Sequence, residues 1–187
     1  MKETGRVLTI IALLLVIAFT AGPGSVSARP VGETYKQSAD GLAKEFDSFL
    51  KAYHKGDDTG MEQAFSVFRI PNAKQWFAEH FSAEDAARLG AAYGQKTTDA
   101  MNSLIEDMNQ AGAGNKYSLH CEARGDVPPS GKEDAAHPVQ PIRVEQFVME
   151  FQASSTRQKF LFIANFVYVD GAYRFVGGGG GPFWGKM

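Results

Sequence analysis

The stretch "FLFIANFVYVDGAYRFVG", residues 160–177, restricts the fold of this chain more than any other. Two runs rich in aromatic and β-branched residues flank Asp170-Gly171. A two-residue Asp-Gly loop favours a type I′ turn, because glycine takes a positive φ without a Cβ penalty. The spacing therefore predicts an antiparallel hairpin joining "RQKFLFIANFVYV" to "AYRFVG". "IRVEQFVMEFQ" reads as another strand long enough to cross a sheet. "NKYSLHCEA" alternates Tyr117, Leu119 and Cys121 with Ser118, His120 and Glu122, as a half-buried strand does. A loop containing Pro and Gly, residues 124–141, separates those two.

Before Gly114 the period changes from two to helical. Leu42, Phe46, Phe49, Leu50 and Tyr53 form one apolar helix face, with Asp40 the expected N-cap and Gly56 the stop. A short second helix is expected to end before Pro71, and a third carries Trp76, Phe77 and Phe81. Ser82 and Asp85 resemble a capping box opening a long helix to Ala111-Gly112, with a stripe of Leu89, Tyr93, Met101, Leu104, Ile105 and Met108. Gly90 and Gly94 suggest an interruption, since each costs about 1 kcal/mol against alanine in a helix. Helices first and a strand meander last describe an α+β domain with helices packed on an antiparallel sheet.

The N-terminus reads as an address. Lys2 and Arg6 precede the uncharged run Val7 to Ala21, then Gly22-Pro23-Gly24 and Val26-Ser27-Ala28. These are the parts of a secretory signal peptide, residues 1–28, cleaved after Ala28. A run of about 15 apolar residues falls short of the roughly 20 that span a bilayer, so no stable membrane anchor is expected after cleavage. The expected destination is periplasmic or secreted. Cleavage leaves residues 29–187, with 29–37 as a flexible leader and 38–187 as one α+β domain with a Gly-rich C-terminal tail. The formal charge is −2 for the whole chain, and the segment removed carries two cations and one anion. A slightly acidic domain has no electrostatic footprint for nucleic acid. Cys121 is the only cysteine, so no intrachain disulfide exists and the domain rests on its core, for which 14 Phe residues supply bulk.

The hairpin "FLFIANFVYVDGAYRFVG", and the segment "PNAKQWFAEHFSAEDAARLGAAY" ahead of it, resemble the nuclear transport factor two-like superfamily. Its cone-shaped α+β domains include SnoaL-type polyketide cyclases and ketosteroid isomerase. The resemblance implies a curved sheet enclosing an apolar pocket. Its members isomerise, dehydrate, cyclise, bind ligands or dimerise, so the fold alone fixes no activity. No residue role transfers position by position.

Candidate chemistry is sparse. His120 and Glu122 share a strand face, and with His80 or Asp85 from the helices they are the candidates for an acid/base set. Cys121 faces the other way, as a small buried apolar residue does. No zinc-ligand spacing is present, and no metal or cofactor is expected. Trp76, Tyr93, Asn165, Phe183 and Trp184 are the candidates for lining a ligand pocket. Arg174 reads as an exposed cross-strand charge. Gly177 to Gly181 follow a strand but open no helix, which removes a phosphate loop. A structural use remains, with Phe183 and Trp184 folding back as a latch. The leading functional expectation is an exported non-catalytic binding or assembly domain, taking a small apolar ligand or forming a homodimer through an aromatic sheet face. The alternative is a cone-fold enzyme performing isomerase-, hydratase- or cyclase-like acid/base chemistry on a small apolar molecule.

Overall fold

The computed structural model describes residues 34–112, 116–128 and 135–185. The expected signal peptide lies outside them. Four helices come first: α1 (Ala39–Lys55), α2 (Asp58–Ser66), α3 (Ala73–His80) and α4 (Ala83–Gly112). Four strands follow: β1 (Tyr117–Asp126), β2 (Glu145–Ala153), β3 (Lys159–Val169) and β4 (Ala172–Gly178), paired as an antiparallel meander in sequence order. The expected α+β class is what the chain adopts, with the helices packed on a curved antiparallel sheet.

Local chemistry sets most boundaries. Gly56 closes α1 in the left-handed conformation at φ 64°, where only glycine is unstrained. Ser38, not Asp40, caps its start, because the Ser38 hydroxyl reaches the Gly41 N–H at 3.2 Å. Asp40 instead lies in the first turn, where the helix dipole favours a carboxylate. Ser82 caps α4, with the Asp85 N–H donating to Ser82 Oγ at 3.2 Å, and the Ser82 hydroxyl donates to the Asp85 carboxylate at 3.1 Å. Against expectation, α4 runs unbroken through Gly90 and Gly94. Its stripe of Leu89, Tyr93, Met101, Leu104 and Met108 is buried, and so is Thr97, whose hydroxyl donates to the Gly94 carbonyl at 2.8 Å. That burial outweighs the glycine cost.

The β3–β4 loop has φ 51° at Asp170 and 73° at Gly171, both positive as the type I′ turn requires. Of the expected leader, Thr34–Gln37 is described. It lies on this hairpin: Tyr35 N–H donates to the Gly171 carbonyl at 2.8 Å, and the Tyr168 hydroxyl donates to the Tyr35 carbonyl.

Strand alternation divides the apolar residues between two clusters. Phe147, Met149 and Phe151 of β2, Phe166 of β3 and Tyr173 and Phe175 of β4 face α1, α2 and the second half of α4. There Phe46, Phe49, Phe65 and Phe68 fill the space, with ring centroids of Phe46 and Phe68 at 4.3 Å. Val167 and Val176 point the opposite way and join Ile70, Trp76, Phe77, Phe81, Leu89, Tyr93 and Trp184. Near β4 the sheet is thus covered on both faces. Tyr93 ties the two layers together, its hydroxyl accepting from Ile70 N–H and donating to the Phe175 carbonyl, both at 2.9 Å. Burial drives its phenol far above the ordinary range, so it stays protonated.

Arg174 corrects the exposed-charge expectation. It is buried, and its guanidinium donates to the Val67 carbonyl between α2 and α3. The sequence places it on the outer face, but α3 and the tail cover that face.

Candidate functional site

The four acid/base candidates fall on three elements, β1, α3 and α4. His120 and Glu122 are exposed on the outer face of β1, opposite Glu150 and Val148 of β2. Glu122 lies 4.0 Å from Arg124, both well solvated. His80, at the end of α3, stacks on Trp76 at 4.3 Å, and its Nδ1 lies 2.7 Å from the Trp76 carbonyl. Since that partner only accepts, Nδ1 carries the proton. Asp85 is engaged by Ser82 and by Arg88. Among the described residues, no hydrogen bond or ion pair joins the helix pair to the β1 pair. Cys121 points inward, and burial pushes its thiol up to about 12, which holds it protonated and unreactive. Among the described residues no group of three His, Cys, Asp or Glu is placed to hold a metal ion.

The ligand candidates are largely core. Trp76 and Trp184 lie 6.2 Å apart, Phe81 and Trp184 5.4 Å, and Tyr93 and Phe183 6.1 Å. Asn165 is fully buried on the outer face of β3. Its amide donates to the carbonyls of Gly177 and Gly178 and accepts from Gln146 at 3.2 Å, beside the register shift between β3 and β4. It satisfies backbone that the irregularity leaves unpaired.

The glycine run is a folded turn. A Cβ on Gly177, at φ 157°, would lie 2.3 Å from the Gly181 carbonyl oxygen. Gly181 N–H donates to the Gly178 carbonyl at 3.0 Å. The chain doubles back and sends Phe183–Gly185 into a 3-10 turn, where Trp184 is buried and its carbonyl accepts from Ala136 N–H at 2.9 Å.

This latch builds one wall of a surface groove of about 620 Å³. The other walls come from the end of β1 and from residues 136–144 leading into β2. Val127 N–H donates to the Val144 carbonyl at 2.7 Å, carrying the β1–β2 ladder into the groove floor. Val127, Ile142, Pro182 and Trp184 line it, and Val139, 63 % exposed, stands over it. Val139 is fixed to α3 through its N–H, which donates to the His80 carbonyl at 2.8 Å. One end is polar. Arg143 Nε lies 3.0 Å from Asp126 and its Nη2 3.5 Å from Glu145. Asp126, ahead of Glu145, keeps the guanidinium charged. A second hollow, about 700 Å³, lies between α3 and α4. Alanines, Gly90 and Lys74 line it, which gives a ligand little to recognise.

Of the sequence candidates only Trp184 lines the groove. Most of the other lining residues lie in 124–141, a stretch whose sequence presents a loop, and the rest are Ile142, Arg143, Val144 and Pro182. The loop's apolar members Val127 and Val139, with Ile142 just after it, are the available signal, because solvated turns seldom need them.

The fold defined here is a four-helix, four-strand α+β domain. No protein-family model matches the chain, nor does any curated protein or solved structure. No helix among the described residues is long and apolar enough to cross a membrane.

Proposed function

We propose that this chain is an exported, non-catalytic binding domain whose ligand seat is the groove beside Trp184. The observation that carries this reading is the groove itself, lined mostly by apolar residues with Asp126, His137, Gln140 and Arg143 among them. Small-molecule sites have about 300–1,000 Å³ and mostly apolar linings with few placed polar groups, and this groove falls in that class. The space between helices and sheet is a weaker seat, because Phe46, Phe49, Phe68, Phe147 and Phe166 occupy it. The enzyme alternative lacks support from its own residues, since among the described residues no hydrogen bond or ion pair brings His80 or Asp85 to His120 and Glu122 on β1. The nuclear transport factor two-like resemblance belongs to this proposal too, supported by helices on a curved antiparallel sheet.

A second reading, assembly as a homodimer, rests on the open end of the outer sheet face. Leu161 is 59 % and Ile163 39 % exposed there, two residues apart on β3. Contiguous exposed apolar residues mark interfaces when the patch is large enough.

Native mass spectrometry of protein purified from the exported fraction tests both. A monomer carrying a small molecule, lost on Val139→Gln, supports the groove. A ligand-free dimer that Leu161→Glu splits would replace it with the assembly reading. Protein retained in the cytoplasm without cleavage after Ala28 would overturn export.

A further inference from the structure

Resting on the assembly reading above, we propose that two copies of this chain pair edge to edge through the stretch of β3 that β4 leaves uncovered. β3 runs from Lys159 to Val169, but β4 pairs with it only from Ala164 to Val169. After Gly178 the chain turns off the sheet, and Gly179 passes beside Ile163 without a side chain to overhang the gap. Burial changes at the same point. Ala164 to Val167 are buried, whereas Lys159, Leu161 and Ile163 are exposed and Phe160 and Phe162 only half-buried.

Strand alternation says which backbone groups are open. On β4 the N–H groups of Tyr173 and Phe175 leave the sheet, donating to Glu45 and to the Phe68 carbonyl, so Ala172 and Arg174 face β3. Their partners Val169 and Val167 face β4 in return. The register shift places its extra residue in β4, so the alternation along β3 continues unbroken to Leu161 and Lys159. The N–H and C=O of these two residues point at the gap, where no strand among the described residues meets them. A two-fold axis at Phe160 sets Leu161 of each copy opposite Lys159 of the other and closes both sets of groups, with Phe160 against its own copy as an aromatic cross-strand pair.

A second copy fits this edge for two reasons. A lysine normally blunts an edge strand, but Lys159 is tied to Glu150 at 2.8 Å, so each copy brings its own counter-charge and the seam is neutral. The chain's own leader is too short once cleaved after Ala28. Thr34 lies against Gly171, and residues 29–33 reach at most about 18 Å. The strand from Val169 back to Ile163 alone covers about 20 Å.

The test is amide hydrogen exchange by NMR on mature protein at low and high concentration, with sedimentation equilibrium reading the mass. The expected result is a dimer at high concentration in which the Lys159 and Leu161 amides gain protection. Phe160 and Phe162 face β2 and should be protected at both concentrations. Leu161→Pro removes an N–H that has no partner within the copy, so it should keep the parent's circular dichroism. It should weaken the dimer about 5- to 150-fold, for two hydrogen bonds lost across the axis. Leu161→Thr keeps that N–H and should keep the dimer. If a dimer forms without protecting Lys159 and Leu161, or if Leu161→Thr abolishes it as fully as Leu161→Pro, the copies meet through the sheet face; the edge inference then fails and the assembly reading stands. If Leu161→Pro does not fold, the exchange pattern of the parent decides. A monomer at every concentration removes the assembly reading and the inference with it.

Discussion

Replacing Trp184 by alanine tests whether the glycine-rich tail is part of the folded domain. The indole is buried against Trp76, Phe77 and Phe81 at centroid distances of 6.2, 6.5 and 5.4 Å. Truncating a buried tryptophan costs about 3–5 kcal/mol through lost transfer energy and the cavity left behind. The hydrogen bond from Ala136 N–H goes to the Trp184 main chain and need not be lost. For a domain of this size about 1 kcal/mol moves the melting temperature by 2–4 °C, so the expected drop is about 6–20 °C. Thermal melts followed by circular dichroism, with urea titrations to check that the slope is unchanged, measure it. Gly177→Ala is the companion variant. Its Cβ would meet the Gly181 carbonyl, a backbone atom that cannot move aside cheaply, so it should destabilise as well. If both variants melt within about 1 °C of the parent, less than about 0.5 kcal/mol on this scale, the tail is a tether and the argument is refuted.

Two further predictions concern polar contacts in the core and at its margin. Tyr93→Phe should cost about 1–3 kcal/mol in urea unfolding, because the Ile70 N–H and the Phe175 carbonyl lose their shared hydroxyl; a loss below about 0.5 kcal/mol would refute this. His54 Nε2 accepts from Tyr117 N–H at 2.8 Å, and burial, then Lys116, lowers its pKa below the ordinary value of 6.5. The unfolded chain then takes up the proton first, so this contribution is complete above about pH 6.5 and is lost as pH falls through the folded pKa. Urea midpoints between pH 8 and 5 should show His54→Gln losing less stability on acidification than the parent; parallel curves would refute the linkage.

Features decided within a few residues were legible in advance. Asp170-Gly171 dictated its turn because both positions need positive φ, and Gly56 dictated the end of α1 for the same reason. The Ser82 cap on the Asp85 N–H and the alternation through Tyr117, Leu119 and Cys121 are equally local, and both stand in the structure. Partners far along the chain decided the rest. Arg174 is buried with its guanidinium on the Val67 carbonyl, 107 residues away in the chain, and no property of "AYRFVG" announces that cover. α4 continues through Gly90 and Gly94 because packing against the sheet exceeds a cost that counts only locally. The groove is the clearest case, needing the end of β1, the loop before β2 and a tail returned by Gly177 to meet at one place. Backbone preference and side-chain period act between near neighbours, so the sequence by itself determined the elements, their order and their apolar faces. Which faces were covered, and what hollow remained between them, depended on desolvation among distant segments, and only the tertiary structure decided it.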